Sequence, residues 1–142
     1  MLLCLQATLA TFLIAPRPVT AAVKVRQIIT AEEAKDHIQE TNIVCGFVVS
    51  GRYVDTSPTK PTYLNFERPY PNQAFTAVVP GALRPKFRVA PEELFKGRSV
   101  CVTGLITSNR DKPQIVIADP SEIAFSEPVA SATNQTTAVT GK

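Results

Sequence analysis

His37 is the single histidine of this chain, and no cysteine or acidic motif surrounds it. A general base needs a reacting group within hydrogen-bond reach, so His37 reads as a surface or packing residue. Glu32-Glu33 and Glu92-Glu93 are paired acids. Each pair opens a predicted helix, where the positive end of the backbone dipole accounts for it. No Gly-rich phosphate loop is present, and one histidine with the separated Cys45 and Cys101 cannot complete a zinc site. The sequence therefore argues for no enzyme, no metal and no cofactor. What remains is a set of aromatics and cations: Tyr53, Tyr63 and Tyr70 with Arg52, Lys60, Arg68, Arg110 and Lys112, and the amide of Asn65. Bases stack on aromatic faces, and cations track a phosphate backbone. The same residue types have an ordinary use, since Tyr suits half-buried strands and Arg or Lys between strands keeps a surface solvated. Asp55, Glu67 and Asp111 dilute the positive charge of the set.

The elements that would position these residues are short. Twelve Pro against six Gly favours strands joined by turns over long helices. Thr30 and Glu33 have capping-box spacing, with Ala31, Ala34 and Ile38 on one stripe, which predicts a helix ending near Gln39–Thr41. Ile43 to Tyr53 reads as a first strand, with Gly46 and Gly51 suited to a bulge or coil. Thr62 to Phe66 is a second, placing Leu64 and Phe66 on one side and Tyr63 and Asn65 on the outward side. Ala74 to Val79 is a third. Pro91 with Glu92-Glu93 behind it marks a short helix. Ser99 to Thr107 and Pro113 to Ala118 are the fourth and fifth strands. Three strands, a helix and two strands is the order of an all-β OB-fold, a five-stranded Greek-key barrel, here with a further helix before strand one. A five-stranded open sheet with one helix fits the same pattern.

The stretch from Ile29 to Ile123 resembles small exported bacterial OB-fold proteins related to nucleic-acid-binding OB modules. The residues that carry the likeness are Thr62-Tyr63-Leu64-Asn65-Phe66, Arg68-Pro69-Tyr70-Pro71-Asn72-Gln73 with Phe75-Thr76, and Arg84-Pro85-Lys86-Phe87. Cys101-Val102-Thr103-Gly104 and Asp119-Pro120-Ser121 complete it, while Pro80-Gly81 departs from the pattern. Such folds bind oligonucleotides or oligosaccharides on the face of strands two and three, between the loops after strands one and four. The resemblance implies that Arg52, Tyr53 and Lys60 flank this face, with Tyr63 and Asn65 on it. Arg68 and Tyr70 follow strand two, and Arg110 and Lys112 lie in the loop after strand four. In such a barrel Cys45 and Cys101 lie on neighbouring strands, so an oxidising compartment would allow a disulfide. Two buried free thiols are the alternative.

The compartment is read from the start of the chain. Leu2 to Ala15 is uncharged and mostly apolar, too short to span a bilayer comfortably and suited to a signal core. Pro16 and Pro18 break it, and Val19-Thr20-Ala21 offers small residues for cleavage, so residues 1–22 are expected to be a signal peptide. No Lys or Arg precedes the run, which fits a minimal signal or a start upstream of Met1. Residues 23–125 are expected to form the OB domain and 126–142 a disordered Ser/Thr/Ala-rich tail. Without residues 1–22, which include Arg17, the net charge falls from +3 to +2, a faint basic bias. The leading expectation is weak single-stranded nucleic-acid binding in the periplasm or outside the cell. The second is an envelope module that binds a protein, a glycan or a small ligand. No stable membrane span is expected after signal removal.

Overall fold

The computed structural model describes residues 26–126. The predicted signal peptide lies outside them, as does the predicted tail beyond Ser126, whose backbone N–H still donates to Ser99 O at 2.9 Å. Among the described residues the chain is mostly β, with eight strands and a few short helices. They run β1 Ile28–Thr30, β2 Thr41–Tyr53, β3 Thr62–Phe66, β4 Phe75–Val79, β5 Ser99–Leu105, β6 Thr107–Asn109, β7 Lys112–Val116 and β8 Ile123–Phe125. No described helix is long and apolar enough to cross a membrane.

β2 is the organising element. Its first part, from Thr41 to Phe47, pairs antiparallel with β5, and its second, from Val48 to Tyr53, pairs antiparallel with β3. The register shifts between Val48 and Ser50. An extra residue there bends the strand and raises its twist, which lets one strand join two differently directed ladders. The irregularity falls between Gly46 and Gly51 rather than at either. Gly51 has another use: a Cβ there would lie 2.7 Å from Glu92 Cβ, so its bare backbone lets the helix α1 (Pro91–Phe95) sit down on β2.

The expected closed five-stranded barrel is corrected to a larger sheet with an open pairing path. The order is β6-β7-β4-β3-β2-β5-β8, with β1 parallel to β2. Ile106 explains why the predicted fourth strand is split. Its N–H donates to Glu40 O at 2.9 Å and its carbonyl accepts from Gln39 N at 2.8 Å, so at this point the main chain bonds the turn before β2. β6 then pairs antiparallel with β7, and β7 runs parallel to β4. Gly104 allows β7 to approach β5, since a Cβ there would meet Ile115 Cγ2 at 2.6 Å.

The inner face is apolar across the sheet. Leu64, Ala77 and Ile115 are register partners and fully buried, and Phe66 packs edge-to-face on Phe75 at 5.1 Å. α1 forms between β4 and β5 as predicted, with Pro91 at its start and Phe95 buried against Phe87 and Phe125. The predicted helix before strand one is a five-residue 3-10 helix, Glu33–His37, and not a longer α-helix. Its capping box is made: Thr30 N donates to Glu33 Oε2 at 2.8 Å, and Glu33 N donates to Thr30 Oγ1 at 3.3 Å. The Thr30 N–H and the Thr30 hydroxyl, which also donates to Glu33 Oε2 at 2.8 Å, hold the Glu33 carboxyl below its usual range. Gln39, with φ of 68°, ends the segment by turning the chain into β2.

Cys45 and Cys101 are direct register partners on β2 and β5, their Cα atoms 4.0 Å apart, and they form a disulfide. The close spacing belongs to antiparallel pairs whose side chains approach most nearly.

Candidate ligand cleft

On the outer face, the register of four ladders brings one polar row together. Ser50 on β2 faces Asn65 on β3, Asn65 faces Thr76 on β4, Thr76 faces Gln114 on β7, and Gln114 faces Thr107 on β6. Directly opposed residues share a face of a sheet, so five side chains from five strands form a continuous line. The next row on this face is Arg52, Tyr63, Val78 and Val116. Period-two alternation in β3 carries Tyr63 into one row and Asn65 into the other.

Two loops wall this surface into a cleft of about 470 Å³. One is the segment after β3, which contributes Tyr70, Pro71 and Gln73. The other is the β6–β7 hairpin, which contributes Asn109, Arg110 and Lys112. The walls hide the floor: Asn65 and Thr76, on the outer side of the sheet, are each 6% exposed, and Gln73, at the base of the first wall, is 7% exposed. Arg52, Arg110 and Lys112 supply positive charge to the lining, which includes no Asp or Glu. None of the three cations is in an ion pair among the described residues.

The floor is only partly satisfied. Asn65 Nδ2 donates to Ser50 Oγ at 3.1 Å, which leaves its carbonyl oxygen for another donor. Asn109 Nδ2 reaches Gln114 Oε1 at 3.4 Å, a long contact. Gln73 Oε1 is buried and has no partner at all. A buried acceptor left unpaired costs about 1–3 kcal/mol.

Six of the nine residues expected on the binding face line this cleft: Arg52, Tyr63, Asn65, Tyr70, Arg110 and Lys112. Asn65 belongs to the buried floor and not to an exposed face. The other three are elsewhere. Arg68 turns away to Glu32, with Nη1 and Nη2 donating to its carboxylate at 2.5 and 3.0 Å and Nε donating to Asn72 O at 2.9 Å. Those bonds hold the Glu32 carboxyl below its usual range, with Lys35 and Lys112 adding to the effect. Arg68 thus anchors the loop that carries Tyr70. Tyr53 lies under the Arg84 guanidinium, 3.8 Å from ring centroid to Cζ, and Lys60 borders a separate shallow depression with it. Gln73, Thr76 and Gln114 were not among the expected residues. A Gln or Thr in isolation carries no charge or aromatic signal; strand register brings Thr76 and Gln114 together, and the loop after β3 brings Gln73 to them.

His37 is on neither depression. Its Nδ1 is 2.8 Å from Glu40 Oε2, which also accepts from the buried Asn42 Nδ2 at 3.1 Å. Asn42 Oδ1 in turn accepts from Gln27 N at 3.1 Å, so the group ties the β1 lead-in to β2.

No known family model matches the chain, and no curated protein does. Among solved structures, the chain is similar to a putative aspartyl-tRNA synthetase from Leishmania major Friedlin, at 13% identity and a TM-score of 0.43. That likeness covers 78% of this chain and 23% of the synthetase chain.

Proposed function

We propose that this protein is a non-enzymatic OB-type binding module that takes single-stranded nucleic acid into the cleft between β2, β3, β4 and β7. The observation that carries the reading is the combination in one cleft of two tyrosine rings, three cations without an acid, and a polar floor. Stacking on aromatic faces and neutralising phosphates are the two requirements of single-strand binding. The OB-type assignment is supported by the connectivity: a bent β2 shared by two ladders, a parallel β4–β7 pair, and a helix between β4 and β5. β5 and β6 are one segment interrupted at Ile106, so the chain links β6, at one end of the pairing path, to β5, the strand next to its other end. The disulfide supports a site of action outside the reducing cytoplasm.

The test is titration of a fluorescently labelled single strand at low and at moderate salt. Each phosphate neutralised lowers the slope of log affinity against log salt by about 0.7 for single strands. With two or three cations engaged, the expected slope is about −1.5 to −2. Absence of binding at the lowest salt ends this reading.

A second reading rests on the floor itself. A cleft of 470 Å³ is within the size range of small-ligand sites, and neutral amides beside tyrosine rings also suit a glycan. Under that reading an oligosaccharide binds with little salt dependence, and an oligonucleotide does not compete with it.

A further inference from the structure

Gln73 poses a question that a phosphate track does not answer. It is 7% exposed, it lines the cleft, and its buried carbonyl oxygen has no partner. Asn65 donates one of its two amide N–H groups to Ser50 Oγ, and its carbonyl oxygen accepts from no group among the described residues. Gln114 Oε1 receives only the long 3.4 Å contact from Asn109. The one buried side-chain polar atom of the cleft left without a partner among the described residues is thus an acceptor, while every cation of the lining is on β2 or the β6–β7 hairpin. Phosphate oxygens are acceptors as well and cannot pair with Gln73 Oε1. A group that pairs the Gln73 oxygen must bring an N–H donor, and it must be flat if it is to lie against the Tyr63 or Tyr70 ring.

We infer that the cleft reads the base of the bound strand, and that it prefers a base carrying an exocyclic amino group to one with a carbonyl in the same place. This deepens the nucleic-acid reading and depends on it. Cytosine and uracil have the same ring size and differ at position 4, where one has a donating amino group and the other an accepting oxygen. Uracil sets its oxygen against the Gln73 oxygen and leaves both unpaired. A site whose buried polar group is met by one analogue and not by the other discriminates strongly.

The experiment compares deoxycytidine and deoxyuridine strands of equal length on the native protein, with an abasic strand as a third arm. The deoxycytidine strand should bind about tenfold more tightly than the deoxyuridine strand, and the abasic strand should be weakest. Equal affinity for all three, or tighter binding of deoxyuridine, overturns the inference while leaving nucleic-acid binding in place. If no strand binds at low salt, the functional reading itself has failed, and the two failures are thus distinct. Gln73→Met gives an independent check, because it keeps the shape and removes the acceptor. The expected variant has an unchanged or raised thermal midpoint and has lost the preference between the two strands. A fall in midpoint would mean that Gln73 already has a partner in the folded protein, and would also overturn the inference.

Discussion

Arg110 occupies an uncomfortable backbone position. It and Asp111 have φ of 50° and 62°, the left-handed conformation of a two-residue hairpin turn. Asn or Gly suits such a turn, and an ordinary L-residue there costs about 1 kcal/mol or more. The Arg110 side chain lines the cleft, so a substitution there separates the cost of the backbone from any part its charge plays in binding. Arg110→Asn should raise stability by about 0.5–1 kcal/mol in denaturant unfolding. The same variant should bind an oligonucleotide more weakly, with a salt slope shallower by about 0.7. Stabilisation with unchanged binding would place Arg110 outside the recognition surface. At this scale the sequence showed Tyr63 and Asn65 on one side of β3, because a strand alternates. It did not separate Arg52 and Arg110 from Arg68, because an arginine's partner can lie 36 residues away in the chain, as Glu32 does from Arg68.

Among the elements, α1 is held by one polar clamp. Arg84 donates to both oxygens of Glu92 at 2.6 Å, donates to Thr62 Oγ1 at 2.8 Å, and lies over Tyr53. β2, β3, the 3-10 segment Gly81–Lys86 and α1 are thereby joined at one guanidinium. The Arg84 hydrogen bonds hold the Glu92 carboxyl below its ordinary value of 4.5, despite partial burial, which acts in the opposite direction. A carboxylate with a lowered folded pKa stabilises the protein above its unfolded value, and that contribution is lost as pH falls toward the folded one. Glu92→Gln should therefore cost about 1–2 kcal/mol at neutral pH. Its stability curve should converge on that of the native protein as pH falls from the ordinary value of 4.5 through the lowered folded one. A constant gap from neutral to acid pH would show that the carboxylate charge is not what matters. The helix start was legible from Pro91-Glu92-Glu93, but the clamp was not. The spacing of Arg84 and Glu92 has no helical or strand period, and a 3-10 turn between them determines whether they meet. The predicted N-terminal helix shortened for a related reason: Ile106 takes the turn at Gln39 and Glu40 into its own hydrogen bonds.

At the scale of the molecule, the strand order along the chain could be read because each strand has its own apolar period and turn residues. Pairing beyond those five strands could not. β1 and β8 are three residues each, too short to carry a period. The break at Ile106 follows from a contact with residues far upstream. The polar row is of the same kind, since it exists only once four registers are set. The disulfide closes a sequence separation of 56 residues. In the chain-entropy account that is worth about 4 kcal/mol. Replacing both cysteines by alanine should lower stability by roughly that amount in guanidinium unfolding. Alkylation of the unreduced protein after denaturation should label neither Cys45 nor Cys101.

The bridge lies on the part of β2 that pairs with β5, ahead of the bend at Val49, whereas the cleft begins at Ser50 and Arg52 beyond it. One strand thus separates endurance from recognition. A reductant is expected to shorten the lifetime of the folded molecule and, if the cleft binds as proposed, to leave the affinity of every copy still folded unchanged.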